Sequence, residues 1–253
     1  MIDIAVLSCN RRRITELCIR EIKSRTITPH RLIVMDNGSE DGTAEMLLEL
    51  YSDGLIDRLA LLEENAGVHF GFNQLLAVVK SEPYYICTDA DLIPCSPIDG
   101  KDWLSRLIEL ADANPDFGAI ACKPHVFIGG VPGWDESKEP VEVPWAGAAL
   151  RLMKTSVVRE VGGWENIKRA SRNHEERWIS ARLKEAGYKV GYAAKIPCIH
   201  LWGDESLGED PWGYPIEMKP EDHGHREIWP PASNFAWERM GIDFLTCLPG
   251  DLR

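Results

Sequence analysis

The chain has 253 residues, of which 44% are hydrophobic and 27% are charged, so it can bury one substantial core. Its formal net charge of −12 argues against a nucleic-acid groove, because affinity for a phosphate backbone comes chiefly from clustered Lys and Arg. Any nucleotide must therefore be bound by a few local groups.

Short apolar runs alternate with amphipathic stretches through the first half of the chain, which predicts βαβ units and a mostly parallel sheet flanked by helices. The expected strands lie at 2–7, 31–35, 59–62 and 84–88, with helices at 11–23, 44–51 and 70–79. Further along we expect a helix at 103–111, a strand at 117–122, one long strand or a bent pair at 141–153, a helix at 173–186 closed by Gly187, and a strand at 196–199.

The cysteines and the N-terminal residues bear on the cellular compartment. The seven cysteines are odd in number and include no C-x-x-C pair, which predicts reduced core thiols. The chain starts with a strand-like run in place of a basic, signal-like segment. No run approaches the ~20 apolar residues that a membrane span needs. We therefore expect a cytoplasmic protein without a transmembrane segment, with peripheral membrane contact left open.

Polar residues follow three of the predicted strands. They are Ser8-Cys9-Asn10, Asp36-Asn37-Gly38-Ser39 and Asp89-Ala90-Asp91. Ligands of parallel α/β sheets bind at the carboxyl ends of the strands. The three clusters are therefore expected to converge on one edge of the sheet.

The Asp89-Ala90-Asp91 tripeptide suggests a cation site, although an isolated D-x-D is common by chance and often lies in a solvated turn. In an extended backbone the two aspartates would have α-carbons ~6.6 Å apart, too far for symmetric chelation. We expect one direct ligand and one that acts through water or contacts ribose. A site that combines carboxylate oxygens with the oxygens of a bound diphosphate suits Mg²⁺ or Mn²⁺.

A set of motifs follows in order along residues 1 to about 202. They are Val6–Arg11, Ile33–Thr43, Asn65–Gly67 with Asn73, Thr88–Asp91, Gly162–Trp164, Glu175–Glu176 before Arg182–Tyr188, and His200. In order and spacing this set closely resembles family 2 of the inverting GT-A glycosyltransferases. The resemblance implies a GT-A fold, with a Rossmann-like, mostly parallel sheet, for a catalytic domain at 1–202. Residues 203–253 are expected to form an irregular extension packed on the core, where it could cover the acceptor site.

The resemblance also implies roles for individual residues. Those expected to bind the nucleotide-sugar are Ser8, Asn10, Arg13, Asp36, Asn65, Asn73 and Asp89. Asp36 would accept from a pyrimidine N–H. Of the arginines at 11–13, which could reach a diphosphate, at least two are expected on the surface.

Metal and acceptor contacts follow from the same resemblance. Asp91 and His200 would ligate Mn²⁺ or Mg²⁺ directly, and Asp89 through water; for His200 a hydrogen-bonded core histidine is the alternative. Trp164 could stack on an acceptor sugar, with core packing as its alternative.

The catalytic base is expected at the start of the helix at 173–186. Helical phase does not choose between Glu175 and Glu176, and both would gain from the helix dipole without any catalytic role. Register against the Glu-Asp motif of the family places Glu176 at the base, with Glu175 in reserve. This chain departs from the family by having Glu where Asp is usual.

Together these motifs predict metal-dependent, inverting transfer of a hexose or deoxyhexose from a UDP-, dTDP- or GDP-linked donor. The acceptor would be a saccharide, lipid-linked or protein hydroxyl, as in polysaccharide biosynthesis. A nucleotidyltransferase is disfavoured because residues 8–13 lack glycine. A non-catalytic carbohydrate-binding module, suggested by nine tryptophans, is the other alternative. His223 and His225 are interpreted as part of a solvated loop, and the oligomeric state is left open.

Overall fold

The computed structural model describes residues 1–124, 134–135, 137–165 and 175–201. The elements are β1 (Ile2–Ser8), α1 (Arg12–Arg25), β2 (His30–Asp36), α2 (Thr43–Ser52), β3 (Arg58–Leu61), α3 (Val68–Val78), β4 (Tyr84–Asp89), β5 (Leu92–Pro94), α4 (Trp103–Ala113), β6 (Phe117–Pro124), β7 (Val141–Glu142), β8 (Arg151–Lys154), α5 (Thr155–Glu160), α6 (Glu175–Glu185) and β9 (Lys189–His200). The predicted α/β class is confirmed.

The strands of the described part form one mixed sheet in the order β3-β2-β1-β4-β8-β6-β9-β5, with β7 paired to β9. The N-terminal half, β3-β2-β1-β4, is parallel. In the other half β8 runs antiparallel to both β4 and β6, while β6 and β9 are parallel. The first half therefore has the carboxyl edge at which ligands of parallel sheets bind.

Two hydrophobic cores cover the two faces of the sheet. Ile4 and Val6 of β1 belong to one core, into which α1, α2 and α4 pack. Ala5 and Leu7 belong to the other, together with residues of α3, α5 and α6. Successive side chains of a strand alternate between faces, and β1 is buried along its whole length. The sheet is thus the middle layer of three.

Two glycines determine how helices pack and end. A β-carbon on Gly71 would lie 2.5 Å from the Leu7 side chain, so its absence lets α3 pack close to β1. Gly187 has φ +87°, and its N–H and that of Tyr188 donate to the Lys184 and Leu183 carbonyls at the end of α6. Such a left-handed cap costs glycine little.

The segment at 141–153, expected to be one long strand or a bent pair, is not one long strand. It contains two short strands, β7 and β8, separated by irregular backbone in which Leu150 has φ +48°. Because β7 pairs with β9 while β8 pairs with β4 and β6, the two belong to different parts of the sheet. The strand expected at 196–199 is the end of the longer β9, and β5 and α5 were not predicted.

The cysteines of the described part agree with the prediction of reduced core thiols. Each cysteine there is free, and all but the partly exposed Cys9 are buried. None of the described helices is long and apolar enough to cross a membrane. Cys247, His223, His225 and the expected extension at 203–253 lie outside the described residues.

Candidate active site at the carboxyl edge of the sheet

Strand register brings the three predicted polar clusters together. Ser8 at the end of β1 is paired with Asp36 at the end of β2. On the other side of β1, Leu7 is paired with Asp89 at the end of β4. The expected convergence on one edge is therefore confirmed.

One hydrogen-bond network joins the loops after β1 and β2. The backbone N–H of Asn10 donates to Ser39 Oγ at 2.6 Å. The Ser39 hydroxyl and N–H in turn donate to the two Asp36 carboxylate oxygens at 2.5 and 2.9 Å. The Asn10 amide oxygen accepts from Glu40 N–H at 2.9 Å. Asn10 and Asp36 thus form one preorganised cluster.

Burial changes the pKa of a carboxylate in this cluster. Asp36 is 1% exposed, and desolvation raises its pKa, although the Ser39 hydrogen bonds act in the opposite direction. Ser8 is also buried, with its hydroxyl 3.4 Å from Thr15 Oγ1. Asn65 lies at the same edge, because its side-chain amide donates to Cys9 Sγ at 3.3 Å.

The backbone turns at Ala90–Asp91, so the two aspartates do not lie on one extended strand. Asp89 ends β4, whereas Asp91 precedes β5, whose Leu92 is paired with His200 of β9. His200 Nε2 consequently lies 3.3 Å from Asp91 Oδ2. The sequence analysis named both residues, but it did not foresee the short β5 that brings them together.

Arg11 is a further partner of Asp91 that the sequence analysis did not single out. Its Nη1 donates to Asp91 Oδ2 at 2.6 Å and its Nη2 to the Leu201 carbonyl at 2.8 Å. Arg13, the arginine assigned to the donor, is exposed on the first turn of α1. Arg11 has φ +63°, and this left-handed backbone conformation turns its side chain inward. Nothing in a run of three arginines distinguishes the one that adopts this conformation.

The Asp91 carboxylate remains anionic in its buried position. Burial alone would raise the pKa of Asp91, but His200 and Arg11 outweigh it and hold the pKa well below the ordinary value. Its Oδ1 atom is buried and has no hydrogen-bond partner among the described residues.

The residues present fit a divalent cation that has only one or two protein ligands. No group of three or more His, Cys, Asp or Glu side chains gathers in the described part of the chain. Asp91 and His200 supply one carboxylate and one imidazole, and the unpartnered Oδ1 offers a lone pair. A hard cation such as Mg²⁺ typically takes one or two protein ligands and completes its shell with phosphate oxygens and water.

Glu175, the first residue of α6, is held in the core. It is 4% exposed, and its Oε2 accepts from Trp164 Nε1 at 2.7 Å and from Arg151 Nη2 at 3.2 Å. Arg151 is itself 1% exposed, and its Nη1 donates to the Ala146 carbonyl at 2.7 Å. Such a buried, hydrogen-bonded pair fixes the start of α6 against β8.

Glu176 is in a different environment. Desolvation, together with the charge of Glu175, raises the pKa of Glu176 to about 7. Its Oε2 lies 3.8 Å from where a β-carbon on Gly147 would be. Burial and then the charges of Asp91, Glu175 and Glu176 raise the pKa of Asp89. Glu176 therefore acts electrostatically on the same carboxylate cluster.

Two predicted contacts do not fit the structure. Trp164 is 2% exposed and its ring centroid lies 5.1 Å from that of Phe72, so it packs in the core and leaves no face for an acceptor sugar. Both atoms of the Asn73 amide are bonded to the Trp164 backbone at 2.9 Å. These two hydrogen bonds hold the Asn73 side chain on the Trp164 backbone.

Comparison with known proteins now decides the family. Residues 3–179 match the model of "Glycosyl transferase family 2", which spans well over half of the chain. The chain belongs to glycosyltransferase family 2. This membership favours glycosyl transfer over the two alternatives, nucleotidyl transfer and a non-catalytic module. A search of curated proteins found no significant match to this chain.

Solved structures resemble this family 2 glycosyltransferase in fold. Mannosyltransferase PcManGT from Pyrobaculum calidifontis, in complex with GDP-Man and Mn²⁺, aligns over 79% of this chain and 56% of its own with 20% identity and a TM-score of 0.63. S. aureus TarS 1-349 with UDP-GlcNAc aligns over 80% and 59% with 12% identity and a TM-score of 0.61. GalNAc-T7 with UDP, GalNAc and Mn²⁺ aligns over 80% and 44% with 12% identity and a TM-score of 0.60. The expected GT-A fold is confirmed, and the glycosyltransferase spans about half the length of these chains.

Proposed function

We propose that this glycosyltransferase moves a hexose or deoxyhexose from a nucleoside-diphosphate donor to an acceptor hydroxyl by a single, metal-dependent displacement that inverts the anomeric configuration. The observation that carries this proposal is the contrast between its two adjacent glutamates. Glu175 is buried and bonded to Arg151 and Trp164, whereas Glu176 has a pKa raised to about 7. A carboxylate tuned to neutral pH suits a general base.

Glu176 would take the proton of the acceptor hydroxyl as that oxygen forms its bond to the anomeric carbon. The bond from the anomeric carbon to the diphosphate oxygen breaks in the same step, and its electron pair leaves with the diphosphate. Glu175 would act only by fixing α6 and by raising the pKa of its neighbour. No covalent intermediate with the enzyme is needed, which is consistent with the inversion that the family resemblance implies.

Asp91 and His200 would hold Mn²⁺ or Mg²⁺, and their 3.3 Å separation and the unpartnered Asp91 Oδ1 support this. A bound cation would neutralise charge on the departing diphosphate. Asp89 would contact ribose or a metal-bound water. PcManGT and GalNAc-T7, which share the fold, are described with Mn²⁺.

The nucleoside would lie against the cluster formed by Ser8, Asn10, Asp36 and Asn65. Asp36 already accepts from Ser39, and each carboxylate oxygen retains a second lone pair for a base N–H. The fold relatives are described with UDP- and GDP-linked ligands. UDP-, dTDP- and GDP-linked sugars are therefore the donors to screen.

Calorimetric titration with UDP in the presence and absence of Mn²⁺ tests the metal-dependent part. We expect UDP to bind with Mn²⁺ and to lose most of its affinity without it or in Asp91→Ala. Asp116→Ala, which removes an exposed aspartate paired with Lys189, is the matched control. Equal UDP affinity with and without the metal would refute metal dependence. A screen of nucleotide sugars, followed by NMR of the product anomer, tests donor and inversion.

A further inference from the structure

Trp145 is a large exposed aromatic side chain next to the buried Ala146. It is 37% exposed, whereas Val143 is 2% and Ala146 0% exposed. Single exposed apolar residues are ordinary on protein surfaces, so exposure alone would mean little. What distinguishes Trp145 is how its backbone is held and what lies beside it.

Hydrogen bonds fix the backbone next to Trp145. Ala146 N–H donates to Ser180 Oγ of α6 at 3.2 Å, and the Ala146 carbonyl accepts from Arg151 at 2.7 Å. Gly147 N–H donates to the Tyr192 hydroxyl of β9 at 2.8 Å. The indole is therefore carried by ordered backbone, so a ligand that binds it has little backbone ordering to offset.

The indole lies against the start of α6, the helix that carries the proposed base. The guanidinium carbon of Arg177, the residue after Glu176, is 4.6 Å from the centroid of the Trp145 ring. The Glu176 carboxylate itself approaches Gly147, two residues along from Trp145, within 3.8 Å of the place of a β-carbon. With this guanidinium over the ring, Trp145 is still 37% exposed.

We propose that Trp145 and Arg177 form a subsite for a sugar ring of the acceptor, which rests on the proposed function of Glu176. An indole offers an apolar face to the C–H groups of a pyranose, and the adjacent guanidinium offers N–H donors to its hydroxyls. The ligand is assigned to the acceptor because the base must reach the hydroxyl that it deprotonates. The acceptor class is thus a glycoside.

Two variants at Trp145 and one control test the subsite. Trp145→Ala removes the ring and Trp145→Phe keeps a smaller aromatic face. Tyr51→Ala removes a comparably exposed aromatic, 49% exposed on α2, as the control. Each protein is titrated with methyl α- and β-glycosides of glucose, galactose and mannose, in the presence of UDP and Mn²⁺, by saturation-transfer difference NMR. Hydrolysis of the donor by water and the KM of transfer to the bound glycoside are measured in parallel.

We expect Trp145→Ala to raise the glycoside dissociation constant and the acceptor KM about tenfold or more, with donor hydrolysis within about twofold of wild type. Trp145→Phe should recover most of the affinity, and Tyr51→Ala should match wild type. Absence of glycoside binding in wild type, unchanged binding in Trp145→Ala, or an equal loss of donor hydrolysis would overturn the subsite. Trp145-dependent binding in a protein that neither hydrolyses nor transfers any sugar would support the subsite and refute the proposed function instead.

Discussion

The pH dependence of transfer follows from the environment of Glu176. Burial and the charge of Glu175 raise the pKa of Glu176 to about 7, and only the ionised carboxylate can accept the acceptor proton. About half of the base is then ionised at pH 7 and about one hundredth at pH 5. We expect kcat/KM to fall about tenfold per pH unit below pH 7, in initial-rate assays at subsaturating acceptor.

Glu176→Gln tests the same assignment through activity and stability. The variant should bind UDP and Mn²⁺ as wild type does and lose about 10²- to 10⁴-fold in turnover. Because the folded state raises the pKa of this carboxyl, wild type loses stability as pH rises from the unfolded pKa, near 4.5, towards 7. Glu176→Gln should therefore have the higher melting temperature at pH 8, with the difference vanishing near pH 4.

Glu185→Gln is the matched control, since Glu185 is an exposed glutamate at the other end of α6. It should keep wild-type turnover. Undiminished transfer by Glu176→Gln, or an acid limb of kcat/KM centred near pH 4.5 in wild type, would refute the assignment of Glu176 as the base.

Three other changes probe the supporting structure. Arg151→Met leaves the buried Glu175 carboxylate unpaired and should lower the free energy of unfolding by about 3–5 kcal/mol, measured by urea titration. Gly71→Ala forces a methyl group against the β1 leucine at 2.5 Å; allowing for ~1 kcal/mol of improved helix propensity, a net loss of about 1–2 kcal/mol is expected, and unchanged thermal unfolding would contradict that packing. Arg11→Gln removes a cation that competes with a metal for the buried Asp91 carboxylate, so calorimetry should show Mn²⁺ binding at least about fivefold more tightly without nucleotide.

The parallel half of the fold was predictable because local sequence patterns there coincide with tertiary structure. Apolar runs at β1, β2 and β4 end at polar motifs. Parallel pairing of these strands is enough to bring the motifs together at one edge of the sheet. The segment at 141–153 was harder to predict for the opposite reason. Its apolar residues predict one long strand or a bent pair, but hydrogen bonds from its backbone to Ser180 and Tyr192, and from Arg151 to its backbone, hold part of it as irregular backbone.

The site was predictable in its residue types but less so in its contacts. The resemblance supplied Asp91 and His200, which the structure brings within 3.3 Å of each other. It could not indicate that Arg11 turns inward through a left-handed backbone. It pointed to Trp164 through the Gly162–Trp164 motif and gave no indication of Trp145, because only packing makes the first buried and leaves the second exposed.

The backbone of Leu201 is tied to the proposed cation site from both sides. Its N–H donates to the Asp91 carbonyl at 2.8 Å, and its carbonyl accepts from Arg11 at 2.8 Å. A truncation that isolates the catalytic domain must therefore keep Leu201, because removing residues from 200 onward deletes both His200 and these hydrogen bonds. The same two hydrogen bonds make the positions of Asp91 and Arg11 dependent on the backbone at position 201.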